Sequence, residues 1–310
     1  MKKEDAAKIV FIILAILCLS PYGNSALALL CGVVLASTLG NPFKAFTKEH
    51  TSTLLQISVV GLGAGMNLKV VGIVGMHGIG YTMAGICFAA LIGFSLTKIL
   101  KTPNTLSTLI TVGTAICGGS AIAATGPILK ADSEEMSVSL GVVFILNAIA
   151  LFIFPPIGHA LALTEHQFGL WSALAIHDTS SVVGAAMQYG KEALELATTV
   201  KLARALWIIP VSLLFAFFMK SKSKIKVPYF IFGFILMAAV MTWVPELHST
   251  GIVISTIAKK LLVLTLFFIG SNLNMDSLKK VGVRPLLLGF MLWIIVGSTT
   301  LLAITQNWIN

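Results

Sequence analysis

The chain is short of charge. Only 11% of its 310 residues are Asp, Glu, Lys or Arg, against about 25% in a soluble domain. Acids are the scarcer sign, 12 against 21 bases. Cysteine is sparse and unpatterned. Cys18, Cys31, Cys87 and Cys117 all lie in apolar stretches without a C-x-x-C spacing. That argues against a disulfide framework or a zinc site and for membrane-buried free thiols. The sequence also lacks H-E-x-x-H, a phosphate-binding G-x-x-x-x-G-K-[ST] loop and a G-x-S-x-G elbow. Metallopeptidase, nucleotide-driven pump and serine hydrolase therefore have no signature here. No catalytic residue, metal or cofactor is expected, and any pumping would have to use an ion gradient or a partner protein.

What is there in quantity is apolar. Hydrophobic residues make up 57% of the chain, and mean hydropathy is +0.96. This is the composition of a polytopic, all-α membrane protein, a single transmembrane domain over 1–310. A span needs about 20 apolar residues. About eleven candidates follow: roughly 8–20, 25–40, 53–74, 79–100, 105–128, 136–157, 167–188, 198–219, 228–245, 252–273 and 285–305. The first apolar stretch, Ile9–Leu19, follows lysines like a signal peptide, but no small-residue cleavage site follows near Ser20-Pro21-Tyr22, so it reads as a first helix. With the N-terminus in the cytoplasm, Lys2, Lys3, Lys8, Lys44, Lys48, Lys98, Lys101, Lys220, Lys222, Lys224, Lys226, Lys279, Lys280 and Arg284 fall inside. They are about two thirds of the 21 bases, the bias of the positive-inside rule. The net charge of +9 is thus a topology signal rather than a nucleic-acid surface, and the C-terminus is expected outside.

The chain is organised around Leu174–Ala186, LAIHDTSSVVGAA. His177, Asp178, Thr179, Ser180 and Ser181 stand in a row with apolar helix on either side. A charge at the middle of a span costs at least about 2.5–3.5 kcal/mol, so it marks a place for substrate or coupling ion. Upstream, Thr114–Thr125 reads TAICGGSAIAAT. Ala115-Ile116 and Ser120 align with Ala175-Ile176 and Ser180. Gly118-Gly119 is a poor helix interior, and hydroxyls can satisfy freed backbone groups, so both spans are expected to break.

A second repeat is longer. LLQISVVGLGAGMNLK at 54–69 matches LLVLTLFFIGSNLNMD at 261–276, sharing Leu54/Leu261, Leu55/Leu262, Gly63/Gly270 and Asn67/Asn274. The two spans would cross in opposite directions, as in the inverted repeats of secondary transporters; the alternative is chance similarity among apolar helices.

The candidate chemistry follows from residue type. Asp178 and His177 can take up and release a proton or hold a cation; the plainer reading is a helix cap and a packing histidine. Gly118, Gly119 and Ser120 would open the second half of one broken helix, and Thr179, Ser180 and Ser181 that of the other. Helix N-termini bind anions, so the two would cradle one; close helix packing is the alternative for the glycines. Lys201 and Arg204, three apart, share a helical face. They could pair with Asp178, draw in an anion, or snorkel to the membrane edge. Asn147, Asn272 and Asn274 could bridge helices or line the cavity, and Pro155-Pro156 is expected to end a span at the surface. Ser, His and Asp within one short stretch point apart and cannot form a triad.

These strings, with GTAICGGSAIAA at 113–124, FPPIGH at 154–159, FGLWSALAIHDTSSVVGAA at 168–186, VKLARALWIIP at 200–210 and FFIGSNLNM at 267–275, resemble the YeiH family of conserved bacterial inner-membrane proteins, which is named for sulfate export. The resemblance covers nearly the whole chain. It implies a secondary transporter of a small anion, sulfate or a sulfonate, exported with proton or sodium coupling. The fold it implies is helical, with inverted repeats and broken helices crossing at the midplane, by analogy with bile-acid symporters and sodium/proton antiporters. A homodimer is an option by the same analogy. On this expectation the anion sits among Gly118–Ser120, Thr179–Ser181, Asn147 and Asn272 with Arg204 assisting, and His177 and Asp178 carry the coupling. The competing expectation is a cation/proton antiporter in which Asp178 binds the cation.

Overall fold

A chain this apolar can satisfy its backbone groups away from water only by pairing them within itself, and helices do so locally. The computed structural model describes residues 3–220, 227–273 and 281–309. Its secondary structure among these residues is helix, without a strand. In order, the helices are α1 (Lys3–Leu19), α2 (Ser25–Thr38), α3 (Lys44–Leu62), α4 (Leu68–Leu100), α5 (Asn104–Ala115), α6 (Gly119–Thr125), α7 (Ser133–Ala160), α8 (Glu165–Ala175), α9 (Thr179–Tyr189), α10 (Lys191–Ala205), α11 (Ile208–Phe218), α12 (Tyr229–Trp243), α13 (His248–Asn272) and α14 (Val283–Thr305).

Five stretches of described helix are long and apolar enough to cross a membrane: Val71–Leu100, Ser133–Ala160, Lys191–Phe218, Pro245–Asn272 and Val283–Thr305. The expected count was eleven. The other expected segments are helical but short, as in α2 and α12, or interrupted, as in α5–α6 and α8–α9. One boundary is corrected. Pro155 and Pro156 lie inside α7, which continues to Ala160. Pro155 is buried and Phe154 stacks on Trp171 at 4.1 Å. Burial among neighbouring helices is the setting in which a membrane helix tolerates proline.

The described residues cluster into two compact units. The first holds α1–α3, the start of α4, α12 and α13. Here α2 and α13 approach at backbone distance: a Cβ on Gly270 would run into the Leu29 carbonyl, and one on Gly32 into the Phe267 carbonyl. Small residues at such a crossing let dispersion contacts hold two apolar helices together. On α3, Thr47 meets Asn272 and Gly61 faces Ala258, so α3 and α13 run antiparallel. Their polar ends are tied together. Asn41 donates to Thr47 at 2.9 Å and to the Ser271 hydroxyl at 3.1 Å, and Thr47 donates to Asn272 at 2.8 Å. Asn274, the tail of the longer repeat, and Lys2, Lys222, Lys224, Lys226, Lys279 and Lys280 lie outside the described residues.

The second unit holds the rest of α4, then α5–α11 and α14. Its core is aromatic where α7, α8 and α14 meet: Phe154 stacks with Trp171 and, at 5.9 Å, with Trp293. Both interrupted helices belong to this unit.

Candidate functional site at two paired helix breaks

The two breaks fall in the same register. The first halves end at Ala115 and Ala175, the caps of the second halves are Gly118 and Asp178, and the second halves begin at Gly119 and Thr179. Each position in the second break is sixty residues beyond its counterpart in the first, the offset at which Thr114–Thr125 aligns with Leu174–Ala185. The breaks also touch. A Cβ on Gly118 would lie 3.1 Å from the Asp178 Cβ and 3.3 Å from its backbone nitrogen. Gly118 has φ 65° and ψ −128°, a conformation in which a side chain is strained. The glycine is needed both for the turn and for the approach.

A helix ending in apolar surroundings leaves its last four carbonyls without partners. Here each has one. In α5, Val112 and Gly113 accept from the N–H of Ile116 and Gly118 at 3.0 and 2.8 Å. Thr114 and Ala115 accept from Arg204 Nη2 and Nε at 3.0 and 2.7 Å. In α8, Ser172 accepts from the N–H of Ile176 at 3.0 Å. Ala173 accepts from Lys201 Nζ and Arg204 Nη1, both at 3.3 Å, and Leu174 accepts from Arg204 Nη1. Ala175 accepts from the indole N–H of Trp293 at 3.1 Å, and Ile176, beyond the helix end, from Lys201 Nζ at 2.6 Å.

These bonds correct the reading of the two basic residues. Lys201 and Arg204 do not snorkel: they are 0% and 1% exposed. Neither forms an ion pair with Asp178 among the described residues. One face of α10 carries both: Arg204 donates to the carbonyl ends of α5 and α8, and Lys201 to that of α8. Four of the five guanidinium N–H groups of Arg204 are committed to carbonyls, so it is a positioning residue for the breaks rather than a free anion clamp.

The N-terminal ends are held differently. Asp178 caps α9, its carboxylate accepting from the Ser181 N–H at 2.7 Å. Asn147, buried on α7, accepts the N–H groups of His177 and Asp178 on one oxygen at 3.1 and 3.2 Å. His177 Nε2 lies 3.1 Å from the Thr114 hydroxyl on α5. Thr179, Ser180 and Ser181 are buried in the first turn of α9, whereas Ser120 on α6 is exposed. The structure therefore gathers Gly118, Gly119, Ser120, Asn147, His177, Asp178, Thr179, Ser180, Ser181 and Arg204 around the breaks of one unit. Asn272 belongs to the other unit, in the network with Thr47 and Asn41. Thr114 and Trp293 are not among the site residues that the sequence suggests. Thr114 sits within the quoted repeat, but nothing in the sequence around Trp293 signals its role.

The architecture is that of a helical membrane protein with two interrupted helices meeting at a polar cluster. The chain belongs to the family described as Conserved hypothetical protein 698, which matches residues 8–289. A UPF0324 membrane protein of Bdellovibrio bacteriovorus is 56% identical, with 100% of this chain and 98% of the relative covered. Another, of Bacteroides thetaiotaomicron, is 53% identical over 91% and 86%. A third, of Geobacter sulfurreducens, is 45% identical over 96% of each. No solved structure matches the chain.

Proposed function

We propose that this protein is a secondary active transporter of a small anion in the bacterial inner membrane, N-terminus cytoplasmic and C-terminus outside. In this reading the anion binds at the paired breaks, and His177 and Asp178 couple its export to a proton or sodium ion. One observation carries the proposal, the asymmetry of the breaks. The negative ends of both first halves are closed by Lys201, Arg204 and Trp293. The positive ends of the second halves, α6 and α9, face the polar cluster, where Asp178 is the one carboxylate among the described residues and engages the Ser181 N–H of its own helix. The protein's own donors complete the carbonyl ends; Asp178 takes one N–H at the start of α9, and an anion would take those that remain. The resemblance to the YeiH family puts sulfate and the sulfonates among the anions to test.

The test is flux in proteoliposomes of purified full-length protein: radiolabelled sulfate, with an imposed proton or sodium gradient and without one. Gradient-driven anion movement supports the proposal. Sodium-driven proton movement without any anion flux would replace it with a cation/proton antiporter.

A further inference from the structure

Two buried polar groups at the breaks have no hydrogen-bond partner among the described residues: Nδ1 of His177 and Nδ2 of Asn147. The residues are 1% and 2% exposed. Buried polar atoms are nearly always satisfied, so a pair left over at one place points to a ligand, and its chemistry can be read from their hydrogens.

Asn147 comes first. Its side-chain oxygen is fixed by the two backbone N–H groups it accepts, from His177 and Asp178. The unpartnered atom is therefore the NH2, a donor, next to the oxygen that holds the N-cap of α9. His177 is settled through Thr114. The Thr114 hydroxyl has a single hydrogen, and it donates to the Ile110 carbonyl at 2.9 Å. With that hydrogen committed to Ile110, the hydroxyl accepts from His177 at 3.1 Å, and this network assigns the ring hydrogen to Nε2. Nδ1 of the neutral ring is then a bare lone pair. The site thus offers a donor, Asn147 Nδ2, at the positive end of α9, and an acceptor, His177 Nδ1, on the residue just before its cap.

A ligand that satisfies both must accept one hydrogen bond and donate another. Sulfate and nitrate have acceptors only; their oxygens would face the Nδ1 lone pair and leave it unpaired. We infer that the site selects oxyanions that still carry one O–H, the hydrogenphosphate and hydrogencarbonate class, over acceptor-only anions of the same shape and charge. This inference rests on the anion-transport reading. It sets the order of affinity within that reading: the O–H is donated to His177 Nδ1, and an anionic oxygen accepts from Asn147 Nδ2.

Two matched pairs isolate the hydrogen. Hydrogenphosphate and sulfate are tetrahedral dianions, and hydrogencarbonate and nitrate are planar monoanions. Binding to full-length protein in nanodiscs is measured by titration calorimetry, at a pH where phosphate is the monoprotonated dianion, and by the change in intrinsic fluorescence of the five tryptophans, of which Trp293 has its ring 6.4 Å from that of His177. The expected result is that each O–H anion binds about tenfold or more tightly than its partner, the scale of one buried hydrogen bond made against one left unpaired. His177→Phe, which keeps a flat ring but has no Nδ1, should abolish the preference. Asn147→Asp, which keeps the oxygen for the two N–H groups and loses the donor, should weaken all four anions. Equal affinities within each pair, or tighter sulfate and nitrate, would overturn the O–H requirement and leave anion binding standing. A preference retained in folded His177→Phe would overturn the role of Nδ1. If none of the four anions binds, the anion reading itself fails and this inference with it. Should His177→Phe not fold, the wild-type pairs still decide.

Discussion

Arg204 joins the carbonyl ends of α5 and α8, and removing it has a calculable consequence. In Arg204→Leu, three carbonyls lose their side-chain partner: Thr114, Ala115 and Leu174. Ala173 keeps Lys201. All three sit at buried helix ends, where water does not replace the lost donor. At about 1–3 kcal/mol for each orphaned carbonyl the loss is about 3–9 kcal/mol. A native state is stable by only about 5–15 kcal/mol. Arg204→Leu should therefore melt far below wild type or fail to accumulate as a monodisperse species. Arg204→Lys separates charge from geometry. It retains the cation, but one compact ammonium lacks the planar fork that reaches both helix ends. Losing two of the bonds costs about 2–6 kcal/mol and lowers the melting temperature by at least about 4 °C. The assay is thermal unfolding of detergent-solubilised protein by intrinsic fluorescence, with size-exclusion chromatography as the check on folding. Arg204→Leu and Lys201→Met should be non-additive, because the two cations share the Ala173 carbonyl. An Arg204→Leu protein that melts within about 2 °C of wild type, a change worth under about 1 kcal/mol, would refute the claim that this residue closes the helix ends.

Two further substitutions follow from the same geometry. Gly118→Ala should cost about 1–3 kcal/mol for its positive φ; it should also press a methyl on Asp178, so transport in proteoliposomes should fall more steeply than the melting temperature does. Gly270→Val should break the α2–α13 crossing by driving a side chain into the Leu29 carbonyl, destabilising by about 1–3 kcal/mol or more. The same thermal melt reads it, and Gly75→Val on α4, where a Cβ meets open space, is the control.

Much of the candidate site is legible in the sequence because breaks leave marks. Gly118-Gly119 and His177-Asp178-Thr179-Ser180-Ser181 are the wrong residues for the middle of a buried helix, and the two breaks lie there, in the register of the short repeat. What is not legible is what faces what. The spacing of Lys201 and Arg204 puts them on one face of α10, but a sequence does not say whether that face looks to lipid or to two broken helix ends. Snorkelling and burial share the same pattern. Pro155-Pro156 misleads because a proline pair usually ends a helix in water, whereas packing holds α7 together through Ala160. Asn147 stands out as a lone amide in an apolar helix, yet its role depends on backbone N–H groups thirty residues away. Trp293 leaves no trace at all, since any apolar helix can carry a tryptophan. Segment lengths blur the span count because a broken helix reads in sequence as one long apolar run.

The central claim is that the paired breaks form the anion site of a carrier that opens to each side in turn. Ser120, exposed at the start of α6, reports on it most directly. The measurement is labelling of Ser120→Cys, in a chain whose four native cysteines are replaced by alanine, with a membrane-impermeant thiol reagent added from either side of oriented vesicles. The account predicts labelling from both sides, slowed by hydrogenphosphate or sulfate. Labelling from one side alone, at a rate neither anion changes, would contradict it.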